Sequence, residues 1–336
     1  MERNLYLDYL KGVLIILVVI GHGIQFILYQ NDISFYDNIV FKGIYMFHMP
    51  LFIAVSGYFS FFSLQRHFPR TFLISRFKYL FVPMIVWTLL EALIYTIMEN
   101  EIKLVTFFYQ FKNLLIHTPF WFLWAIIIYS IFFAFLKKIK MDNVYLLIVV
   151  IIMSFLYTEA NHATVYNIIN FYPFFALGYI FAKFDLKIYF KRVQKFLPVI
   201  IVLFVISFFL WDNNTYVYKN PVGLTYIYYS ISRFFIGIIS SILFLYLFYY
   251  LYKMDMTKIV TSQFIKSGKD SMAIYLIQGT IFYVITLLSL DMSNILAVSL
   301  FCTIVLSMYF SPYLIDLISN KSRLGGWLLF GKKSSI

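Results

Sequence analysis

Ten stretches of this chain are long, apolar and nearly free of charge, and that pattern constrains the fold more than any other feature. Six of them, 12–31, 43–65, 113–136, 160–182, 271–290 and 292–315, contain no Asp, Glu, Lys or Arg. Two more, 143–158 and 196–211, are equally uncharged but only 16 residues long. Segment 79–98 is interrupted by Glu91, and segment 226–252 by Arg233. A helix rises ~1.5 Å per residue, so crossing ~30 Å of hydrocarbon takes about 20 apolar residues. A helix also satisfies its own backbone hydrogen bonds, which lipid cannot do. The pattern predicts an all-α, polytopic integral membrane helix bundle of ten transmembrane helices. It reads as a single membrane-embedded domain over residues 1–336, with no appended soluble domain. Segment 99–112 stays open between a plain loop and a re-entrant or interfacial piece.

The basic residues orient these spans, because Lys and Arg accumulate in cytoplasmic loops. With the N-terminus inside, 22 of the 27 Lys and Arg residues fall on one side. Lys42, Lys103, Lys112, Lys219 and Arg233 fall on the other. One missed span would invert every later assignment, so the split predicts cytoplasmic N- and C-termini. A bacterial plasma membrane is the natural setting. The first apolar run is long enough to remain as a span, and no small-residue cleavage site follows it, so a cleaved leader is not expected.

Composition excludes several classes. The net charge of +12 would suit a nucleic-acid binder, but 62% hydrophobic residues, 12% charged residues and a mean hydropathy of +0.84 do not. Nucleic acid is therefore not an expected partner; membrane lipids are. The single cysteine, Cys302, lies in an apolar run and reads as a buried, inert thiol. Nucleotide-loop, nucleophile-elbow and zinc motifs are missing from the sequence, so no metal is expected.

Polar side chains inside apolar runs are costly, about 2.5–3.5 kcal/mol for a charge near the bilayer centre, and each calls for a reason. Lys11 stands at the mouth of the first span and His22 follows 11 residues later. Eleven residues make about three turns and ~16 Å, which puts both on one face. A snorkelling lysine and a packing histidine would explain the pair equally simply. His48 lies beside Met49 and Pro50 in the second span, where packing and function weigh equally. Glu91 is isolated in its span and needs a cationic partner or a proton-handling role. Arg233 keeps its charge and suits an acidic partner, with helix-end snorkelling as the plain alternative. His67 and His162 read as solvated loop residues. His117 precedes the aromatic run 118–125, which includes Trp121 and resembles an interfacial belt.

Lys11-x10-His22 matches the [Arg/Lys]-x10-His signature of the membrane-bound acyltransferase 3 family. The surrounding LDYLKGVLIILVVIGH resembles that family's first helix. FHMPLFIAVSGY (47–58), SRFKYLFVPMIVW (75–87), WFLWA (121–125), FYPFFALGY (171–179) and SMAIYLIQ (271–278) are similar to its later blocks, in family order along nearly the whole chain. The family's Arg-x-x-Arg entry to the third helix is incomplete here. Arg76 matches the first position, Tyr79 occupies the second, and Lys78 supplies a cation on a different face.

The resemblance implies an integral membrane O-acyltransferase moving acetyl from acetyl-CoA to a hydroxyl of a cell-surface polysaccharide or glycolipid. On that reading Lys11, Arg76 and Lys78 would hold the donor's phosphates. His22 would be the general base, with Glu91 orienting it and His48 as the second proton carrier. Arg233 and Trp121 would contact the sugar or glycolipid acceptor. Two other functions fit ten spans with intramembrane charges: a proton-coupled transporter, and a glycan flippase or polymerase. Internal similarity between halves would favour the transporter and long outer loops the polymerase, and the sequence has neither.

Overall fold

A computed structural model describes residues 4–30, 32–100, 103–116, 120–156, 163–184, 186–216, 224–254, 257–290 and 292–332. Among them there are helices and turns and no strands. The α-helices, in chain order, are α1 (Leu5–Gly23), α2 (Ile39–Tyr45), α3 (His48–Arg66), α4 (Pro69–Arg76), α5 (Val82–Met98), α6 (Leu104–Ile116), α7 (Trp121–Lys138) and α8 (Val144–Leu156). They continue as α9 (Ala163–Phe181), α10 (Leu186–Leu210), α11 (Leu224–Met254), α12 (Lys258–Lys269), α13 (Ser271–Leu288), α14 (Asn294–Lys321) and α15 (Arg323–Phe330). The protein is an all-α, polytopic membrane protein.

Eight helical segments among the described residues are long and apolar enough to cross a bilayer. They account for every expected span except 143–158 and 160–182. Helix α8 has 13 residues, which is ~20 Å of rise and less than the hydrocarbon thickness. Helix α9 is long enough, but Asn167, Asn170 and Pro173 dilute its apolar character. The expected span 113–136 begins too early. Residues 113–116 end α6, and α7 starts at Trp121. No charged residue separates the two helices after Lys112, so a search for charge-free stretches cannot see the boundary. Segment 99–112 resolves into most of α6, whose Gln110 reaches the Tyr283 hydroxyl at 3.4 Å.

The chain divides into two compact units. The first comprises residues 1–35, 75–123 and 258–336. Its central feature is the crossing of α1 with α12. A Cβ built on Gly12 would lie 1.9 Å from the Phe264 carbonyl oxygen, and one on Gly268 would lie 1.7 Å from that of Asp8. Only hydrogen at both positions lets the two backbones touch. Helix α15 is fastened in the same unit by two indoles. Trp327 Nε1 donates to the Lys78 carbonyl at 3.0 Å, and Trp87 Nε1 to that of Leu329 at 2.8 Å.

The second unit comprises residues 36–74 and 124–257. It repeats the device at the crossing of α3 with α9. There a Cβ on Gly57 would lie 2.1 Å from the Phe175 carbonyl oxygen, and one on Gly178 would lie 1.9 Å from that of Ala54. Stacked rings join other helices of this unit, Phe47 on Phe244 at 3.7 Å and Phe190 on Tyr249 at 3.9 Å. Cys302, expected in the interior, is exposed on α14. An apolar run in a membrane protein faces lipid as readily as core, so hydropathy alone cannot place a thiol.

Candidate active site

Helix α1 is capped by Asn4, whose side chain accepts from the Leu7 amide, and it runs unbroken from Leu5 to Gly23. Lys11 and His22 therefore keep the same-face relation that an ideal helix gives them. Directly after His22 the chain widens into a π-helical turn, Ile24–Leu28, a local distortion that often marks functional sites. The His22 ring sits between two phenylalanines, edge-on to Phe26 at 5.8 Å and to Phe282 at 5.7 Å. Phe26 also lines a cavity of about 360 Å³ together with Gln30, Ile285, Thr286 and Met292.

One hydrogen bond sets the chemistry of the imidazole. His22 Nδ1 lies 2.8 Å from Gln278 Oε1. The Gln278 amide is oriented by its other end, where Nε2 donates to the Tyr275 carbonyl at 3.1 Å. An amide oxygen accepts and does not donate, so Nδ1 carries the hydrogen. In the neutral ring the lone pair is then on Nε2. Gln278 is 1% exposed, whereas His22 retains part of its surface.

Glu91 is fully buried, and Thr280 Oγ1 donates to its Oε1 at 2.8 Å. Its Oε2 has no hydrogen-bond partner. Gln278 and Thr280 are two residues apart on α13, a rotation of ~200°, so His22 and Glu91 are held by different faces of that helix. At the mouth of α1, Lys11 Nζ pairs with Asp8 Oδ1 at 3.0 Å, and Asp8 is 3% exposed. The Gly12–Gly268 crossing brings α12, with Lys266 and Lys269, to the level of Lys11. Both lysines also line a cavity of about 650 Å³ that includes Tyr79, Asp270, Asp316 and Lys332. Lys332 ties this rim together, 3.0 Å from Asp270 Oδ1 and 2.6 Å from Asp316 Oδ1. Arg76 ends α4 in a half-buried position, and the π-helical turn Phe77–Phe81 follows it. Lys78 is exposed within that turn. Trp121 opens α7, next to Phe122, which packs on Tyr275 at 5.4 Å.

His48 and Arg233 meet in the second unit. His48 Nδ1 donates to the Ile44 carbonyl at 2.8 Å, and its ring lies 4.6 Å from that of Tyr45. Arg233 is 4% exposed; its Nε donates to the Thr215 carbonyl and its Nη1 to Asn170 Oδ1, each at 2.7 Å. Both residues line one small cavity. Instead of the acidic partner expected from sequence, Arg233 has neutral acceptors among the described residues. His117 and His162 lie outside the described residues.

The sequence of the chain matches the family model for an acyltransferase domain of the acyltransferase 3 type over residues 4–316. The chain belongs to the acyltransferase 3 family. It is similar to nodulation protein NolL of Mesorhizobium japonicum, with 27% identity over 303 residues, covering 85% of this chain and 79% of that protein. It is also similar to nodulation protein NolL of Sinorhizobium fredii, with 32% identity over 240 residues, covering 66% of this chain and 61% of that protein. No solved structure matches it. This acyltransferase 3 chain is thus a membrane-embedded O-acyltransferase, and the enzyme must hold an acyl donor and an acceptor. Sequence reasoning missed Gln278, Thr280 and Asp8 in the first unit, and Asn170, Trp211 and Thr215 in the second. For Gln278 a signal existed: it is an amide within an apolar run, at the end of SMAIYLIQ. The cost argument applied to charges holds for buried amides as well.

Proposed function

We propose that this enzyme transfers acetyl from acetyl-CoA to a hydroxyl of a cell-surface polysaccharide or glycolipid precursor, with His22 as general base. The observation that carries the reading is the Gln278–His22 hydrogen bond, which leaves the basic lone pair on Nε2. Nε2 removes the proton of the acceptor hydroxyl as its oxygen attacks the thioester carbonyl carbon. The carbon–sulfur bond breaks, the ester forms, and the proton passes from His22 to the departing thiolate. Lys11 lies ~16 Å along the helix from His22, a distance comparable to a phosphopantetheine arm. Lys11, with Lys266 and Lys269 on the α12 helix that crosses beside it, suits the donor's phosphates, and Arg76 and Lys78 are assigned to the same role. Glu91, His48, Arg233 and Trp121 do not touch the donor path in this scheme: Glu91 supports α13 through Thr280, and Trp121 is a candidate wall for the acceptor. The concentration of basic residues on one side supports a cytoplasmic mouth in a bacterial cell, where acyl-CoA is made.

The test is O-acetylation of surface glycans, read by mass spectrometry in cells carrying His22→Ala or Lys11→Ala. Loss of a general base costs about 10²- to 10⁴-fold in rate, so His22→Ala should abolish detectable acetylation. Lys11→Ala should raise the KM for acetyl-CoA about tenfold, the share of one charge-assisted hydrogen bond. Unchanged acetylation by a folded His22→Ala protein overturns the assignment.

A further inference from the structure

The cavity of about 360 Å³ beyond His22 lies wholly within the first unit and falls in the ~300–1,000 Å³ range of small-molecule sites. Phe26 joins it to the base, because it lines the cavity and also lies edge-on to His22 at 5.8 Å. Phe282, the other ring on His22, backs Phe26 at 5.7 Å with the two planes 28° apart. Gln30, Thr286 and Ser289 bring an amide and two hydroxyls to the lining, and Ile285 and Met292 bring apolar surface. Gln30 is tied to this rim, since its Nε2 donates to the Met292 carbonyl at 3.3 Å. Gln30 and Ser289 both have left-handed backbones, at φ 47° and 43°, a conformation costly for residues other than glycine. Such strain concentrates where a chain clamps a ligand. Gln30 follows Lys11 by 19 residues, ~28 Å at helical rise and close to the hydrocarbon thickness. The cavity is therefore at the opposite end of α1 from Lys11.

Charge narrows the guest. None of the described lining residues is charged. The sequence has no Lys, Arg or His from Gly23 to Phe41 or from Asp270 to Asn320, the two stretches that build the cavity. Lys103 and Lys112, in the same unit, are not among its lining residues. Asn31 and Asp291, beside it in the chain, lie outside the described residues, and neither is a base. An anion entering here would leave water without meeting a cation. A sugar ring has C–H groups on its faces and hydroxyls around its edge. An aromatic wall beside an amide and hydroxyls matches both.

We propose that this cavity binds the acceptor, and that the acceptor unit is a sugar ring without carboxylate, phosphate or sulfate. The inference rests on the acyl-transfer reading above and adds the acceptor's place and charge class to it. The ring stacks on Phe26 and turns one hydroxyl past it toward His22. That oxygen forms the new bond to the acyl carbon as the carbon–sulfur bond breaks, and its proton passes through Nε2 to the thiolate. Donor and acceptor reach the base from opposite ends of α1.

The experiment uses the purified full-length enzyme in detergent, with acetyl-CoA as donor and, as acceptor, surface glycan extracted from cells lacking the protein. Mass spectrometry locates the acetyl group, and equilibrium dialysis measures acetyl-CoA binding separately. The wild type should acetylate a sugar residue that carries no acidic group. Thr286→Trp fills the cavity from an exposed position on α13, and should raise the KM for glycan at least about tenfold while acetyl-CoA binding stays unchanged. Gln30→Ala removes one lining amide and should raise the same KM about tenfold, with kcat and the KM for acetyl-CoA unchanged. Acetyl found on a carboxylated, phosphorylated or sulfated residue overturns the proposal. So does a wild-type KM for glycan in Thr286→Trp, which would place the acceptor elsewhere. If Thr286→Trp loses acetyl-CoA binding as well, its fold is disturbed and Gln30→Ala decides, an unchanged KM for glycan again overturning the proposal. Failure of the acyl-transfer reading looks different: the wild type itself would transfer nothing to the glycan, and the cavity assignment would fall with it.

Discussion

Replacing Gln278 by Leu takes away the amide oxygen that holds His22 Nδ1–H while leaving the imidazole and its flanking Phe26 and Phe282 in place. The ring is then free to exchange tautomers and to rotate, and only a fraction of molecules present Nε2 as the base. In the proposed mechanism this lowers kcat roughly tenfold, the worth of one hydrogen bond of ~1–1.5 kcal/mol, and leaves the KM for acetyl-CoA unchanged. Steady-state kinetics on detergent-solubilised enzyme separates the two parameters. A rise in KM with constant kcat would assign Gln278 to donor binding instead. The same comparison shows which residues a sequence can reveal. Lys11 and His22 were legible because both lie in one helix and their spacing alone fixes their relative direction. Gln278 lies 256 residues from its partner, and Thr280 lies 189 from Glu91. No periodicity connects residues that far apart. Arg233 was legible as a buried cation, but its neutral surroundings at Asn170 and Thr215 were not.

The helix crossings make a different kind of demand, because there the contact is with backbone that cannot move aside. Gly12→Ala would drive a methyl group into the Phe264 carbonyl, and Gly268→Ala would drive one into that of Asp8. Each should force α1 and α12 apart and cost about 1–3 kcal/mol or more, as overpacking does. Gly43 provides the contrast. It lies within α2 with open space around it, so Gly43→Ala should be neutral or stabilise by up to ~1 kcal/mol. Unfolding of the three variants by titrated denaturing detergent tests the ranking. Equal stability for Gly12→Ala and Gly43→Ala would mean that the α1–α12 contact is looser than described. At this scale eight of the ten apolar runs overlap helical segments long and apolar enough to cross a bilayer, since lipid and helix geometry both demand such runs. Helices α6 and α12 were not. Lys258, Lys266 and Lys269 gave α12 the look of a cytoplasmic loop, and only its burial against α1 explains why so polar a segment is a helix. Charge-free runs report where lipid can be, whereas short amphipathic helices report where protein is.

For the molecule as a whole, the asymmetry of the basic residues makes a claim about sidedness that labelling can decide. Cys302 is exposed on α14, where its replacement removes no packing, so Cys302→Ser supplies a cysteine-free background. Single cysteines then go at Arg70, Lys140 and Lys183, on the side read as cytoplasmic, and at Lys103, on the opposite side. Each of the four replaced residues is exposed. In whole cells a membrane-impermeant maleimide should label Lys103→Cys alone, and all four should react once the membrane is permeabilised. The Arg70–Lys103 pair depends on one crossing, the segment Pro69–Met98, which is long and apolar enough to span by itself. The Lys140–Lys183 pair tests something subtler. Helix α8 is short of a full span, yet the chain between these two lysines holds both α8 and α9. Two crossings, or a hairpin that enters and turns back, return the chain to the same side, so both lysines should share a face either way. Labelling of Lys183→Cys but not Lys140→Cys would mean that exactly one of the two helices crosses. The later basic clusters, Lys266, Lys269 and Lys332 among them, would then face outward, away from any cytoplasmic donor. Sidedness and donor chemistry therefore stand or fall together in this protein.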